Sequence, residues 1–225
     1  MTANEKAPKH ITAIRKIFSF LFDLLYNQFA WTYDAVAWIV SGGLWKNWVL
    51  AVTPYLRDDN ILELGFGPGH LQKDGLSQNK NLFGMDVSSN MVKKCRRKLS
   101  HANLSFNLIQ ANAPYLPFKG NSFDQVIATF PAPYIFSKQT LSAIFALLKP
   151  DGEMLVIPTA WSTSKSPIQL FFSWLFNWSA GRQNSHLTNL SAVLKPIEES
   201  GFKVSHQLLE VKKSKVLLIS GRKPK

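Results

Sequence analysis

Hydrophobic residues recur at three- and four-residue spacing from Ile11 to Leu25, at Ile11, Ile14, Ile17, Phe18, Leu21, Phe22 and Leu25. Thr12, Arg15, Lys16, Ser19 and Asp23 fill the other side. That rhythm predicts an amphipathic helix. A second helix is expected over Trp31–Val40, stopped by Gly42 and Gly43, and a third from Trp45 to about Leu56. The period then changes. Short buried-strand runs are read at Asn60–Leu64, Asn81–Met85, Leu104–Ile109, Phe123–Phe130 and Glu153–Ile157. Between them lie helical stretches at Ser89–Leu99, with a basic outer face, and Lys138–Leu148, stopped by Pro150 and Gly152. Strands alternating with helices predict a mostly parallel sheet covered on both faces. The end departs from that order. A helix over Leu190–Ser200 precedes two strands, Lys203–Val211 and Lys215–Ser220, with a tight turn at Lys213 and Ser214, so a hairpin inserts one antiparallel strand. The expected division is an N-terminal helical cap over 1–56 and a main domain over 57–225, with an aromatic insertion at about 161–187.

Composition narrows the picture. The 225 residues are 46% hydrophobic and 18% charged, enough for a buried core. The single cysteine, Cys95, excludes an internal disulfide and a cysteine-rich metal site. No cluster of His, Asp and Glu has ligand spacing, so no metal is expected. No signal-peptide pattern is visible, and Asp23, Asn27, Gln28 and Asp34 interrupt the apolar stretch Ile17–Val40, so a cytoplasmic protein without a clean membrane span is expected. The net charge of +12 is concentrated near the start, in Lys93, Lys94, Arg96, Arg97 and Lys98, and near the end. Such charge suits solvated faces, anionic lipid or nucleic acid.

The chemistry centres on Ile61-Leu62-Glu63-Leu64-Gly65-Phe66-Gly67-Pro68-Gly69-His70. A strand that runs into closely spaced glycines lets the backbone turn sharply and approach a ligand, and the next helix offers free N–H groups. Asp86 ends the following strand, 21 residues after Gly65, where a carboxylate can accept both ribose hydroxyls of an adenosine. Spacing discriminates between adenosyl cofactors. The dinucleotide fingerprint wants Gly-x-Gly-x-x-Gly, but here the third glycine comes one residue early, at Gly69. Glu63 would repel a pyrophosphate and attract a cationic sulfonium. The residues therefore favour S-adenosylmethionine over NAD.

Here the sequence resembles the Rossmann-like (class I) methyltransferase superfamily. Glu63-Leu64-Gly65-Phe66-Gly67-Pro68-Gly69 looks like its first motif, and Gly84-Met85-Asp86-Val87-Ser88 with Met91 like its second. Asn112-Ala113, Leu116-Pro117-Phe118 and Asn121-Ser122-Phe123-Asp124 match the segment before the fourth strand, and Leu148-Lys149-Pro150-Asp151-Gly152 the turn before the fifth. The resemblance implies an α/β fold: a seven-stranded, mostly parallel sheet with an antiparallel C-terminal hairpin strand. It also implies roles. Glu63 and the backbone of Gly65, Phe66, Gly67 and Gly69 would hold the methionine end, and Asp86 the ribose. Val87 and Met91 would flank the adenine, Asn112 and Ala113 would read its edge, and Phe130 would lie beside the cofactor. Asn112 stands where many relatives have Asp. Phe130-Pro131-Ala132-Pro133-Tyr134 is similar to the amino-methylating motif of the superfamily, except that Phe130 replaces the polar acceptor.

Methyl transfer from a sulfonium is an in-line displacement, so alignment matters more than a strong base. No catalytic base is assigned; the candidates are Tyr134, Tyr33 and His70, the last read first as a helix-start residue. Cys95 is flanked by cations that could lower its pKa, but a lone semi-buried thiol is the preferred reading. The substrate side would come from the N-terminal helices and the 161–187 insertion, both aromatic. The expected acceptor is a small hydrophobic or lipid-like molecule, such as a quinone precursor or a phospholipid amine, and Tyr33-Asp34 resembles quinone-ring methylases. The amphipathic first helix suggests peripheral contact with the inner face of an anionic membrane. DNA is not expected. An RNA methyltransferase and a non-catalytic S-adenosylmethionine-binding protein are the alternatives.

Overall fold

The computed structural model describes residues 41, 43–57, 60–162 and 190–225. The predicted helices at Ile11–Leu25 and Trp31–Val40, Tyr33, and residues 163–187 of the aromatic insertion lie outside the described residues.

The alternating pattern becomes one seven-stranded sheet. A short helix α1 (Trp45–Val49) leads into β1 (Asn60–Leu64), α2 (His70–Ser77), β2 (Asn81–Asp86), α3 (Ser89–Ser100), β3 (Asn107–Gln110) and β4 (Phe123–Thr129). Helix α4 (Lys138–Leu147), β5 (Leu148–Ser162), α5 (Leu190–Glu199), β6 (Lys203–Val211) and β7 (Ser214–Arg222) follow. The strand order is β3-β2-β1-β4-β5-β7-β6. The pairs β1–β2, β1–β4, β2–β3 and β4–β5 are parallel, while β7 runs antiparallel to both β5 and β6. The hairpin thus inserts one antiparallel strand, as the sequence predicts.

Alternation along each strand builds two cores. On one face Leu62, Leu64, Val126, Ala128, Met154 and Val156 meet Leu141, Ile144, Val193 and Ile197 of α4 and α5. On the other, Ile61, Leu82, Ile127, Leu155 and Ile157 meet Trp48, Val49, Val52 and Leu71. A third cluster seats α3 through Val92, Cys95 and Leu99 against Phe66 and Leu108. Helix α3 starts where Ser88 accepts a hydrogen bond from the Met91 amide, and α4 where Ser137 accepts one from Thr140, the N-cap chemistry of serine.

Several boundaries differ from the expectation. The predicted helix from Trp45 to Leu56 is α-helical only to Val49 and continues as a 3-10 turn over Leu50–Tyr55, because Pro54 has no N–H to give and crowds the preceding turn. The predicted strand Leu104–Ile109 begins only at Asn107. Asn103 takes a positive φ of 53° and the Leu104 amide returns to the Leu99 carbonyl at 3.1 Å, so Leu104 and Phe106 finish the cap of α3 and pack beneath it. The closing turn is Lys212–Lys213, one residue earlier than predicted. Ser214 opens β7, its hydroxyl donating to the Val211 carbonyl and accepting from Trp48 Nε1, both at 2.6 Å.

Strand β5 is longer than predicted at both ends. Its last pair with β4 is Thr129↔Ile157, yet it continues to Ser162 opposite Ser214. Strands β5, β7 and β6 therefore project past the rest of the sheet at its carboxyl-terminal end, by about 16 Å at the usual rise per residue.

Candidate active site

β1 sits between β2 and β4, so the chain connections leave its carboxyl end in opposite directions along the sheet and open a crevice there. The glycine loop fills the floor of that crevice. Gly65, Gly67 and Gly69 all take positive φ, at 71°, 52° and 74°, a conformation that side chains resist. No heavy atom lies within 4 Å of where a Gly67 side chain would start, so that position is an open cradle. At Gly69 the reverse holds: a Cβ there would meet Cys95 Sγ at 2.2 Å. Gly69 lets the loop lie on α3, and Gly67 lets a ligand lie on the loop.

Asp86 ends β2 and is 1% exposed. One carboxylate oxygen accepts the Gly67 amide and the other accepts Ser88 N–H, each at 2.8 Å. A carboxylate has about four acceptor positions, and these two amides fix the direction of both Asp86 oxygens. The same bond to Gly67 ties loop and acid into one unit. Val87, next in the chain, is 56% exposed at the crevice edge, while Met91 is buried at the start of α3. Ala113 is buried and Asn112 exposed after β3. Gly65, Gly67, Asp86 and Val87 thus lie together around the crevice.

Two residues assigned from the resemblance turn their side chains elsewhere. Phe66 is buried against Val92, Cys95 and Leu99, which leaves only its backbone for the loop. Phe130 follows β4 with φ +49°, an outlier for a bulky residue. Its ring packs on Trp45, with centroids 4.6 Å apart, and on Trp48 at 6.2 Å. The ring is committed to α1.

Glu63 lies beneath the loop, 1% exposed. Burial pushes its carboxyl up to about 8; Gln72 lowers it, the Asp86 charge raises it, and Lys98 lowers it. The acid is therefore mostly neutral at pH 7, and its pull on a cation operates only once it ionises. Gln72 was not singled out in the sequence. It is fully buried on α2 and donates from Nε2 to Glu63 Oε2 at 2.8 Å and to the Phe83 carbonyl at 3.3 Å, while its Oε1 is buried with no partner. A polar residue beside Leu71 on the inward face of the helix after the motif is the signal that could have found it. Gly84 makes room, since a Cβ there would meet Gln72 Cδ at 3.0 Å.

Tyr134 is the second residue of the 3-10 turn Pro133–Phe136 after β4. Its hydroxyl lies 3.5 Å from where a Gly65 side chain would begin, so it overhangs the loop. Burial first, then the Asp86 charge, pushes its pKa up to about 12. At neutral pH it is a hydrogen-bonding hydroxyl rather than a phenolate base. His70 opens α2 behind Gly69. Cys95 is fully buried, its thiol pushed up to about 12 by desolvation and then by Glu63, which makes it a packing residue. Among the described residues, no three His, Cys, Asp or Glu side chains gather as a metal site, and no helix is long and apolar enough to cross a membrane.

Residues 61–152 match the family model described as "Methyltransferase domain". The chain is 37% identical over 143 residues to a ubiquinone/menaquinone biosynthesis C-methyltransferase of Wigglesworthia glossinidia brevipalpis, covering 59% of this chain and 57% of that protein. Over 177 residues it is 29% identical to a demethylmenaquinone methyltransferase of Symbiobacterium thermophilum, covering 71% of this chain and 70% of the relative. Its fold is similar to that of Haemonchus contortus phosphoethanolamine N-methyltransferase 2, solved with phosphomonomethylethanolamine and S-adenosylhomocysteine. That likeness has a TM-score of 0.59 at 15% identity, over 81% of this chain and 54% of that one.

Proposed function

We propose that this chain belongs to the class I, Rossmann-like methyltransferase superfamily, binds S-adenosylmethionine and methylates a small hydrophobic, quinone-like acceptor. The observation that carries the cofactor half is Asp86. Its two oxygens are held by the Gly67 and Ser88 amides at the crevice of a sheet whose loop is open at Gly67. The acceptor half is supported by the relatives named as quinone methyltransferases and by the apolar lining near the crevice.

In this reading Asp86 takes the ribose hydroxyls, Val87 and Met91 flank the adenine, and Asn112 and Ala113 meet its edge. The backbone of Gly65, Phe66, Gly67 and Gly69, with Glu63 below it, receives the methionine end. Phe130 stiffens the wall beside it through Trp45 and Trp48. Held by these residues, S-adenosylmethionine would supply an electrophilic methyl group with a neutral thioether as its leaving group. The protein's work is to hold the acceptor atom in line behind that methyl and to keep water out. Tyr134, overhanging Gly65, is placed to orient an acceptor oxygen by a hydrogen bond, and an acceptor that methylates on carbon loses its proton after the bond forms. Tyr33 and His70 are secondary candidates for that proton. In the same reading the protein works at the cytoplasmic face of a membrane, in whose lipid such acceptors dissolve.

The test is calorimetric titration with S-adenosylmethionine, S-adenosylhomocysteine and NAD, repeated on Asp86→Ala. Micromolar affinity for the sulfur ligands, at least about a hundredfold weaker in the variant, is expected from loss of two charge-assisted bonds and the ribose contact. NAD should not bind. Binding of S-adenosylmethionine without turnover of any quinone-like acceptor would favour the non-catalytic alternative, and no binding at all would overturn the proposal.

A further inference from the structure

Strand register shows where the exposed apolar side chains lie. The large hydrophobic residues exposed among the described residues are Val87, Ile109, Tyr115, Tyr134, Trp161 and Leu208. Ile109 pairs with Met85, which pairs with Leu64, the last residue of β1. Val87, Tyr115 and Tyr134 follow the carboxyl ends of β2, β3 and β4. Leu208 is level with Leu217 and so with Thr159, already past the last β4–β5 pair, and Trp161 lies further out, opposite Lys215. All six are at one end of the sheet, the end that carries the crevice.

The carboxylates are sorted along the same axis, while cations lie at both ends, with Lys149, Lys203 and Arg222 at the end away from the crevice. Among the described residues, Asp124 sits at the entry of β4, Asp151 and Glu153 at the entry of β5, and Glu198 and Glu199 just before β6, all at the opposite end. Asp124 and Glu153 are tied there to Lys149 and Arg57, at 2.7 and 3.4 Å. At the crevice end Glu63 and Asp86 are buried, and the exposed acid, Glu210, is 4.0 Å from Lys215. Exposed Lys212 and Lys213 form the tip of the three-stranded projection, with Lys215 beside them, and Lys138 starts α4 at the same end. The projection is firmly seated: Ala160, Leu209, Val211 and Val216 pack in the α1 core, and Trp48 bonds Ser214.

We propose that this end of the sheet is a docking surface for an anionic lipid bilayer. The β5–β7–β6 projection is its anchor, and the crevice opens toward the lipid. An interfacial tryptophan with lysines around it suits the boundary between headgroups and acyl chains, and lysines near an anionic leaflet are each attracted to it. A nucleic acid would use the lysines and could stack bases on Tyr115 or Trp161, but it would gain nothing from the aliphatic Val87, Ile109 and Leu208. The inference rests on the reading that the acceptor is hydrophobic, since a bilayer-facing mouth lets such a molecule enter without crossing water.

The test is co-sedimentation of the full chain with phosphatidylcholine vesicles, with and without phosphatidylglycerol. The wild type should sediment with the anionic vesicles, and neutralising Lys212, Lys213 and Lys215 to Gln should weaken partitioning roughly a hundredfold. Trp161→Ser should weaken it on both lipids, while S-adenosylhomocysteine affinity stays unchanged in every variant as the check on folding. A wild type that ignores both vesicle types, or a triple variant that sediments as well as wild type, overturns the proposal. So does lysine-dependent binding to RNA alone. Loss of cofactor affinity in the wild type would instead strike the functional reading, so the two failures are separable.

Discussion

The buried Glu63–Gln72 pair predicts a strong pH dependence, which a single substitution should remove. Burial carries the Glu63 carboxyl from its ordinary 4.5 to about 8. At about 1.36 kcal/mol per pH unit, keeping it charged in the fold costs on the order of 5 kcal/mol. The sign is fixed by which state holds the proton. Below pH 4.5 the acid is neutral in both the folded and the unfolded chain. Between 4.5 and 8 the unfolded chain ionises while the folded chain does not, so stability falls as pH rises and levels off above 8. The other groups that face it act in both directions: Asp86 on β2 disfavours its charge and Lys98 on α3 favours it, while Cys95 stays a neutral thiol. Gln72 can serve either form. Its Nε2 donates to the carboxylate, and its orphaned Oε1 is an acceptor for a neutral carboxyl once the amide turns over. Glu63→Gln fixes the neutral form. Urea melts at about pH 5 and pH 9 should show the wild type losing several kcal/mol across that span and the variant losing much less. A cation bound above the loop should reverse the preference. Wild-type affinity for S-adenosylmethionine should then rise toward pH 8, with proton release measurable in buffers of different ionisation enthalpy, and Glu63→Gln should bind with a flat profile. Equal pH slopes for both proteins in the melts, with no proton release on binding, would refute the reasoning.

Other predictions follow from single contacts. Gly69→Ala forces a side chain into positive φ and onto Cys95 Sγ; a loss of about 2–4 kcal/mol is expected in urea melts, partly recovered by adding Cys95→Ala. Full additivity of the two substitutions would refute the clash. Cys95 should react with a thiol reagent only as fast as the chain unfolds, because it is fully buried with its thiol near 12; prompt labelling under native conditions would contradict this. Tyr134→Phe should leave cofactor affinity within about threefold and lower kcat by roughly tenfold or more if its hydroxyl orients the acceptor. An unchanged kcat would reduce it to a wall of the site.

How much of this was legible in the chain depends on whether local pattern or distant packing decides a feature. The glycine loop, Asp86 and the strand–helix alternation are local, and each lies where the pattern put it. Two misplaced boundaries are set by backbone chemistry at one residue: Pro54 converts a helix to a 3-10 turn, and Asn103 closes α3 so that Leu104 caps rather than pairs; the longer β5 is set instead by distant pairing with β7. Gln72 escaped because a glutamine on a helix reads as a solvated side chain. Only the Gly84 gap in the neighbouring strand admits it to the core, and that pairing is a matter of register. Phe130 shows the same limit from the other side, since its place after β4 was readable while its ring direction depends on Trp45 and Trp48.

That division has a functional counterpart. The cofactor side is built from residues close in sequence to β1 and β2, held by short backbone bonds such as Gly67 to Asp86, so it follows from the order of strands around β1. In the proposed reading the acceptor side draws on β4, α1 and the β5–β7–β6 projection, and β7 returns between β5 and the edge strand β6. The antiparallel insertion extends β5 beyond β4, gives Trp48 its partner in Ser214 and carries three lysines to the crevice end. A chain with the same motifs but a hairpin cut back to the level of Ile157 would therefore keep the ribose-binding acid and lose its lipid-facing anchor. Methylation of a dispersed acceptor should then persist, while methylation of one delivered in anionic vesicles should fall.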